Sequence, residues 1–276
     1  MKLKKVLLYL GGLIIVAMIT LIIFMYPFYH FFFTAESTII DKDLTVMSGA
    51  GNSGILVTDS AVVLIDTKMG SMAKKLYKFA KEKAGNKKII VINTHFHGDH
   101  IKGNYLFKGC PIYIGGYDHA FALKNITAGN MPTVFVTDSL ILPLGNETIA
   151  LYNMGQAHTL DDMVVYLKNR KLLFSGDLVF NHINPVLKKE SGADIEKWKA
   201  VLDNILNRWD IKTVVPGHGD PGGPELITEL RQYFVDMQVA AFNPGKANEI
   251  LTKYKSWMKM PMMASPDKTI EFIQGK

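Results

Sequence analysis

The run Thr94-His95-Phe96-His97-Gly98-Asp99-His100 places four side chains of metal-ligand type within six residues, and it holds three of the chain's eight histidines. Imidazoles and a carboxylate crowded together are costly to bury unless something compensates them, and a cation does so. Imidazole nitrogen and carboxylate oxygen suit zinc, iron or manganese. The local spacing therefore already suggests a metal site.

The rest of the chain supplies matching donors. Ile89-Ile90-Val91-Ile92 precedes the cluster, Thr148-Ile149-Ala150-Leu151-Tyr152 precedes His158, Leu172-Leu173-Phe174 precedes Asp177, and Thr213-Val214-Val215 precedes His218. Each run is short, apolar and rich in β-branched or aromatic residues, as strands are. Side chains that follow strands at the same end of one sheet converge along an edge. Ala61-Val62-Val63-Leu64-Ile65 followed by Asp66 repeats the pattern. Asp66 need not touch a metal; its expected role is to hold a ligand loop by hydrogen bonds.

The set His95-x-His97-x-Asp99-His100, His158, Asp177 and His218 resembles the metallo-β-lactamase-fold hydrolase superfamily over roughly residues 44 to 222. Asn52-Ser53-Gly54, Leu64-Ile65-Asp66-Thr67, Gly155-Gln156-Ala157-His158-Thr159, Ser175-Gly176-Asp177 and Pro216-Gly217-His218-Gly219 resemble its landmark segments. The resemblance implies a four-layer αββα sandwich with metals at one edge between the sheets. It further implies that His95, His97 and His158 hold one metal, that Asp99, His100 and His218 hold a second, and that Asp177 bridges them. Two Zn2+ ions per chain are implied, with Fe or Mn as alternatives. A bridging hydroxide would then cleave an ester, lactone, thioester or amide/lactam bond of a small-molecule substrate, with Asp99 also handling the proton.

Substrate choice is less constrained. Cysteine-bearing members of the family carry a thiolate where Asp177 stands and, three residues on, a lysine that grips the drug's carboxylate; here that position is Phe180. A true β-lactamase is therefore an alternative, as is a mononuclear iron sulfur dioxygenase of the same fold. Phe180, His182 and Asn184, just past the bridge, are the expected substrate contacts. A non-catalytic, membrane-tethered binding module is a third possibility, and diiron oxygen reductases fit less well because they place a glutamate where this chain has His97.

Other motifs read as structural. Gly49-Ala50-Gly51-Asn52-Ser53-Gly54 spells GxGxxG, but the strand-like Ile55-Leu56-Val57 follows where a dinucleotide site needs a helix. Asp161-Asp162 could pass for a catalytic carboxylate pair but reads rather as capping a turn or orienting a ligand loop. His30 and His119 read as ordinary structural histidines, as His182 would but for its place beside the expected pocket, and lone Cys110 reads as a small buried side chain with no disulfide framework. The sequons at Asn125 and Asn146 matter only in a eukaryotic secretory pathway.

The N-terminus carries Lys2, Lys4 and Lys5 and then Val6 to Tyr29 without a charged side chain. As a helix that run is about 36 Å long, enough for a hydrocarbon core of roughly 30 Å. It is longer than a signal-peptide core and leaves through aromatics suited to the membrane interface, so an uncleaved anchor is favoured over a cleaved signal. The division expected is an anchor over residues 1–35 and a hydrolase domain over 36–276. The preceding lysines put the N-terminus in the cytoplasm and the catalytic domain outside. Of the net charge of +6, three lysines belong to the anchor, and nothing resembles a nucleic-acid-binding stripe. Lys246, Lys253, Lys255 and Lys259 read as a solvated helix face. Helices are expected over Ser71–Ala84, with Ser71 as cap, and over about 194–207, 224–241 and 246–258.

Overall fold

The structure, a computed structural model, describes residues 2–116, 119–260 and 263–276. The strands β1 (Ser37–Asp41), β2 (Leu44–Met47), β3 (Ser53–Val57), β4 (Ala61–Ile65), β5 (Lys88–Ile92), β6 (Ile112–Gly115) and β7 (Val134–Val136) lie side by side in that order. From β1 to β4 neighbours are antiparallel, and from β4 to β7 they are parallel. A second sheet holds β8 (Ser139–Pro143), β9 (Thr148–Gly155), β10 (Asp162–Leu167), β11 (Leu172–Phe180) and β12 (Thr213–His218), in the order β12-β11-β10-β9-β8. Its neighbours are antiparallel except the pair β11 and β12.

Strand alternation explains the layers. Ala61, Val63 and Ile65 of β4, with Ile90 and Ile92 of β5, pack against Ile149, Leu151, Val165 and Leu167 of the second sheet. Val62 and Leu64, with Ile89 and Val91, turn the other way onto Leu76, Ala80 and Ala84 of α2 (Gly70–Ala84). Successive side chains on a strand point to opposite faces, so a strand covered on both sides must be apolar throughout. On the outer face of the second sheet, α5 (Ile195–Arg208) and α6 (Glu225–Phe242) bury Trp198, Leu202, Leu230 and Phe234. The mixed α/β sandwich is thus helix, sheet, sheet, helix.

Helix ends follow local chemistry. Asp194 caps α5 by accepting from Lys197 N at 3.1 Å, which stabilises a helix start by about 1 kcal/mol. Helix α2 departs from expectation: it begins at Gly70 after Met69, with no side-chain cap, and Ser71 lies inside it. Burial of its apolar face stands in for the missing cap. The expected last helix is α7 (Pro244–Lys253), shorter than read, and α8 (Pro266–Ile273) follows it, capped by Ser265 with Pro266 at its first position. The short helices α3 (Gly98–Ile101) and α4 (His119–Asn125) were not expected. Strand β11 continues through Asp177 to Phe180, so that carboxylate sits within a strand rather than after one.

Helix α1 (Lys2–Phe33) contains the window Tyr9–Tyr26, no part of which is buried; by length and composition it can cross a membrane. Gly49, Ala50 and Gly51 all have positive φ, which makes the glycine-rich segment a turn. Lys246, Lys253, Lys255 and Lys259 are exposed. Cys110 is half-buried rather than enclosed. The side chains of His30 and His119 lie outside the described residues.

Candidate metal centre

The parallel strands β4 and β5 end together, and so do β11 and β12, which brings Asp66, the 94–100 run, Asp177 and His218 to one edge. His158 enters from the β9–β10 connection. Two register shifts in β11, on either side of Gly176, twist the strand so that Asp177 faces inward. Its partner strand must then pass unusually close. A Cβ on Gly217 would lie 2.0 Å from Asp177 Oδ1, so only glycine fits there. Asn52 secures the following loop, donating from Nδ2 to Pro216 O at 2.9 Å and Gly219 O at 2.7 Å.

Two groups of donors form. Ligand atoms of His95, His97, His158 and Asp177 lie within 4.8 Å of one another, and so do those of Asp99, His100 and His218. Asp177 faces both groups. Its Oδ2 is 3.7 Å from His95 Nε2 and 3.3 Å from His158 Nε2, whereas Oδ1 is 3.1 Å from His100 Nε2 and 3.4 Å from His218 Nε2. Asp99 Oδ2 lies 3.3 Å from His218 Nε2. His95 Nε2 is buried without a hydrogen bond, a costly arrangement unless the nitrogen has a ligand role.

Ring orientation is set from behind. His100 Nδ1 lies 2.8 Å from Asp66 Oδ2, and Asp66 also accepts from Thr94 N and Thr94 Oγ1, each at 2.8 Å. His97 Nε2 lies 2.9 Å from Ser191 Oγ, leaving Nδ1 toward His158 Nε2 at 3.0 Å. Trp198 meets the His158 ring edge-on at 5.1 Å.

The electrostatics differ between the groups. Burial, with His158 alongside, pushes the His97 imidazole down to about 3, and burial with His100 alongside lowers His95 well below the usual range. Both therefore stay neutral and able to donate a lone pair. At His100 and His218 burial acts the same way but is overcome: Asp177, Asp66 and Asp99 raise His100 well above its ordinary value, and Asp177 with Asp99 raises His218 to about 9. Burial would raise the Asp99 and Asp177 carboxyls, yet the adjacent His100 and His218 lower both. Three buried or partly buried acids thus favour positive charge at these two imidazoles, the charge a cation at that place would supply. The donor set fits a metal in both chemistry and charge.

Lys68 is an unexpected neighbour. It is fully buried, donates from Nζ to Gly49 O and Gly51 O, and burial depresses its ammonium to about 7. It steadies the turn whose Gly51 passes so near His100 that a Cβ there would lie 3.1 Å from Nε2.

The site opens into a cavity of about 300 Å3 lined by His97, Asp99, Asp177 and His218, with Met69, Val186, Met260 and Met263 as apolar walls and Lys102 and Lys188 at its sides. The three expected substrate contacts are elsewhere. Asn184 is fully buried, donating to Trp257 O and Met258 O and accepting from Tyr233 Oη at 3.1 Å; its polar atoms are spent on the fold. Phe180 is 1% exposed and stacks on His218 with ring centroids 5.3 Å apart, so it backs a candidate metal ligand instead. His182 does not line the cavity and pairs with Glu229 at 3.3 Å. Asp162 caps a turn, as read, by accepting from Thr159 N and Oγ1. Ser191, Lys68 and Lys188 gave no signal in the sequence, since each reaches the site only through tertiary contact.

A family model described as the metallo-beta-lactamase superfamily matches residues 47–218. The metallo-beta-lactamase type 2 of Bacteroides fragilis is 30% identical over 185 residues, which are 66% of this chain and 74% of that protein. The protein of the same name from Bacillus cereus is 29% identical over 180 residues, 64% of this chain and 70% of its own. Among solved structures, a metallo-beta-lactamase from Pontibacter korlensis superposes with a TM-score of 0.65 at 25% identity, covering 72% of this chain and 98% of that one.

Proposed function

The chain belongs to the metallo-beta-lactamase superfamily, whose members of this kind are metal-dependent hydrolases, and from that premise we propose a membrane-anchored, extracytoplasmic binuclear zinc hydrolase. It cleaves an ester, lactone, thioester or amide/lactam bond in a small molecule. The observation that carries this reading is Asp177, with one carboxylate oxygen turned to each group of donors.

His95, His97 and His158 would hold one Zn2+, Asp99, His100 and His218 the other, and Asp177 both. So held, the pair would supply a water acidic enough to deliver hydroxide near neutral pH and a positive field for the developing oxyanion. The chain's own contribution is positional. Asp66 fixes the His100 ring by its 2.8 Å contact, leaving Nε2 for coordination. Ser191 does the same for His97 from the other side. Phe180 and Trp198 exclude water from behind His218 and His158. The Asp99 carboxylate, partly open to the cavity, takes the proton and returns it to the leaving group.

The names of the similar proteins favour a second reading, a true β-lactamase. Against it stands Phe180, buried where a lysine would grip the drug's carboxylate.

The test is elemental analysis of the full-length protein together with rates on nitrocefin, a simple lactone, an ester and a thioester. Two equivalents of zinc with turnover of the non-lactam substrates support the proposal, and preference for nitrocefin supports the second reading. Folded protein that takes up no transition metal overturns both. For the anchor, the lysines before the span support an outward domain; protease added to intact cells would remove the domain and leave residues 1–35 in the membrane.

A further inference from the structure

The cavity over the metal centre does not end at its own wall. Val186, Lys188 and Met263 also line a second cavity of about 360 Å3 on their far side. Lys189, Lys268 and Phe272 complete much of it, and among its lining residues four lysines stand against two glutamates. Much of its wall comes from the C-terminal segment carrying Met263 and α8, which lies beyond the residues matched by the family model.

The charges there are unevenly committed. Lys268 pairs with Glu271 at 2.7 Å. Lys188 has no ion pair among the described residues, and Lys189 spends its ammonium over the Phe272 ring at 5.6 Å from the centroid. Lys102, across the first cavity, has no ion pair either among the described residues. An ammonium beside an apolar wall binds an anion more strongly than one in open water, because the wall displaces solvent and lowers the local dielectric. Lys188 stands at the junction, with the metal ligands on one side and the cationic cavity on the other. A molecule with its scissile bond over Asp177 and an apolar stem along Val186 and Met263 would bring its far end there.

We propose that the second cavity is a substrate subsite for an anionic group, a carboxylate or a phosphate, carried on an apolar stem, with Lys188 as its principal contact. The proposal rests on the hydrolase reading for what happens at the other end of the molecule. It replaces the electrostatic handle missing at Phe180 with one built from different elements.

Calorimetry on the zinc-loaded full chain in a neutral detergent tests it, with 4-phenylbutyrate, 3-phenylpropyl phosphate and the uncharged 4-phenylbutyramide as probes. One or both anions should bind roughly tenfold more tightly than the amide, and the tighter of the two names the anion. Lys188→Ala should remove most of that advantage, Lys188→Arg should keep it, and Lys212→Ala, at a distant exposed lysine, should change nothing. Anions and amide binding alike would overturn the subsite. So would an anion advantage that survives Lys188→Ala, since the probe would then be resting on the metals. Because the readout is binding, absence of turnover on every substrate would count against the hydrolase reading while leaving this result standing.

Discussion

Asp66 Oδ2 lies 2.8 Å from His100 Nδ1, and the same carboxylate holds the Thr94 backbone at the start of the ligand run. One buried acid therefore aims a ring and anchors the loop carrying four of the donors. Asp66→Asn keeps the shape but loses the charge and one acceptor. Metal affinity should fall about 10- to 100-fold, the usual cost of removing such a partner. Competitive titration with a fluorescent chelator measures it, and unchanged affinity would remove Asp66 from the site.

Gly217→Ala pushes a methyl group to within 2.0 Å of Asp177 Oδ1, and the strand cannot retreat because β12 pairs with β11. Metal content and hydrolysis should both be lost. Gly129→Ala, whose added carbon would meet only Tyr105 Cβ at 3.8 Å, should leave both intact. If the two variants behave alike, the close approach at Asp177 has no functional weight.

His95→Ala and Asp177→Ala should each abolish hydrolysis and release metal, because each removes a donor that faces the others within 4.8 Å. His182→Ala, at an exposed contact with Glu229, should retain activity within about twofold, since exposed polar pairs contribute little. Elemental analysis and steady-state rates on the same preparations decide the matter. Full activity after Asp177→Ala would end the binuclear reading.

The depressed Lys68 ammonium makes stability depend on pH in a defined direction. Between about 7 and the ordinary lysine value of 10.5 the unfolded chain holds the proton and the folded chain has lost it. Stability contributed by this group therefore rises with pH across that window. Urea midpoints at several pH values, compared between wild type and Lys68→Met, isolate the effect: the wild type should gain relative to the variant as pH rises. A difference that stays flat would mean that Lys68 keeps its proton when buried.

The donors were legible in the sequence because geometry and sequence coincide for them. Four are neighbours in one short run, Asp177 and His218 lie near the ends of a parallel strand pair, and His158 sits in the connection between two antiparallel strands that opens on the same edge. The layers were legible for a similar reason, since β4 and β5 are apolar on both faces. What stayed hidden depends on distant partners. Ser191 meets His97 from 94 residues away. Lys68 looks like a surface residue until the turn it supports closes over it. Proximity of Asn184 to Asp177 along the chain says nothing about Tyr233, Trp257 and Met258, which claim its amide. Helix α2 lacks a cap at Ser71 because burial of Met72, Leu76 and Ala80 holds it regardless.

The two groups of donors draw on both halves of the sandwich. His95, His97, Asp99 and His100 follow β5 of one sheet, whereas His158, Asp177 and His218 belong to the other. Neither half alone offers a complete coordination sphere, so an ion bound there acts as a clasp across the seam, and its affinity is drawn from the docking of the halves. Stripping the ion would loosen that seam before either half unravels.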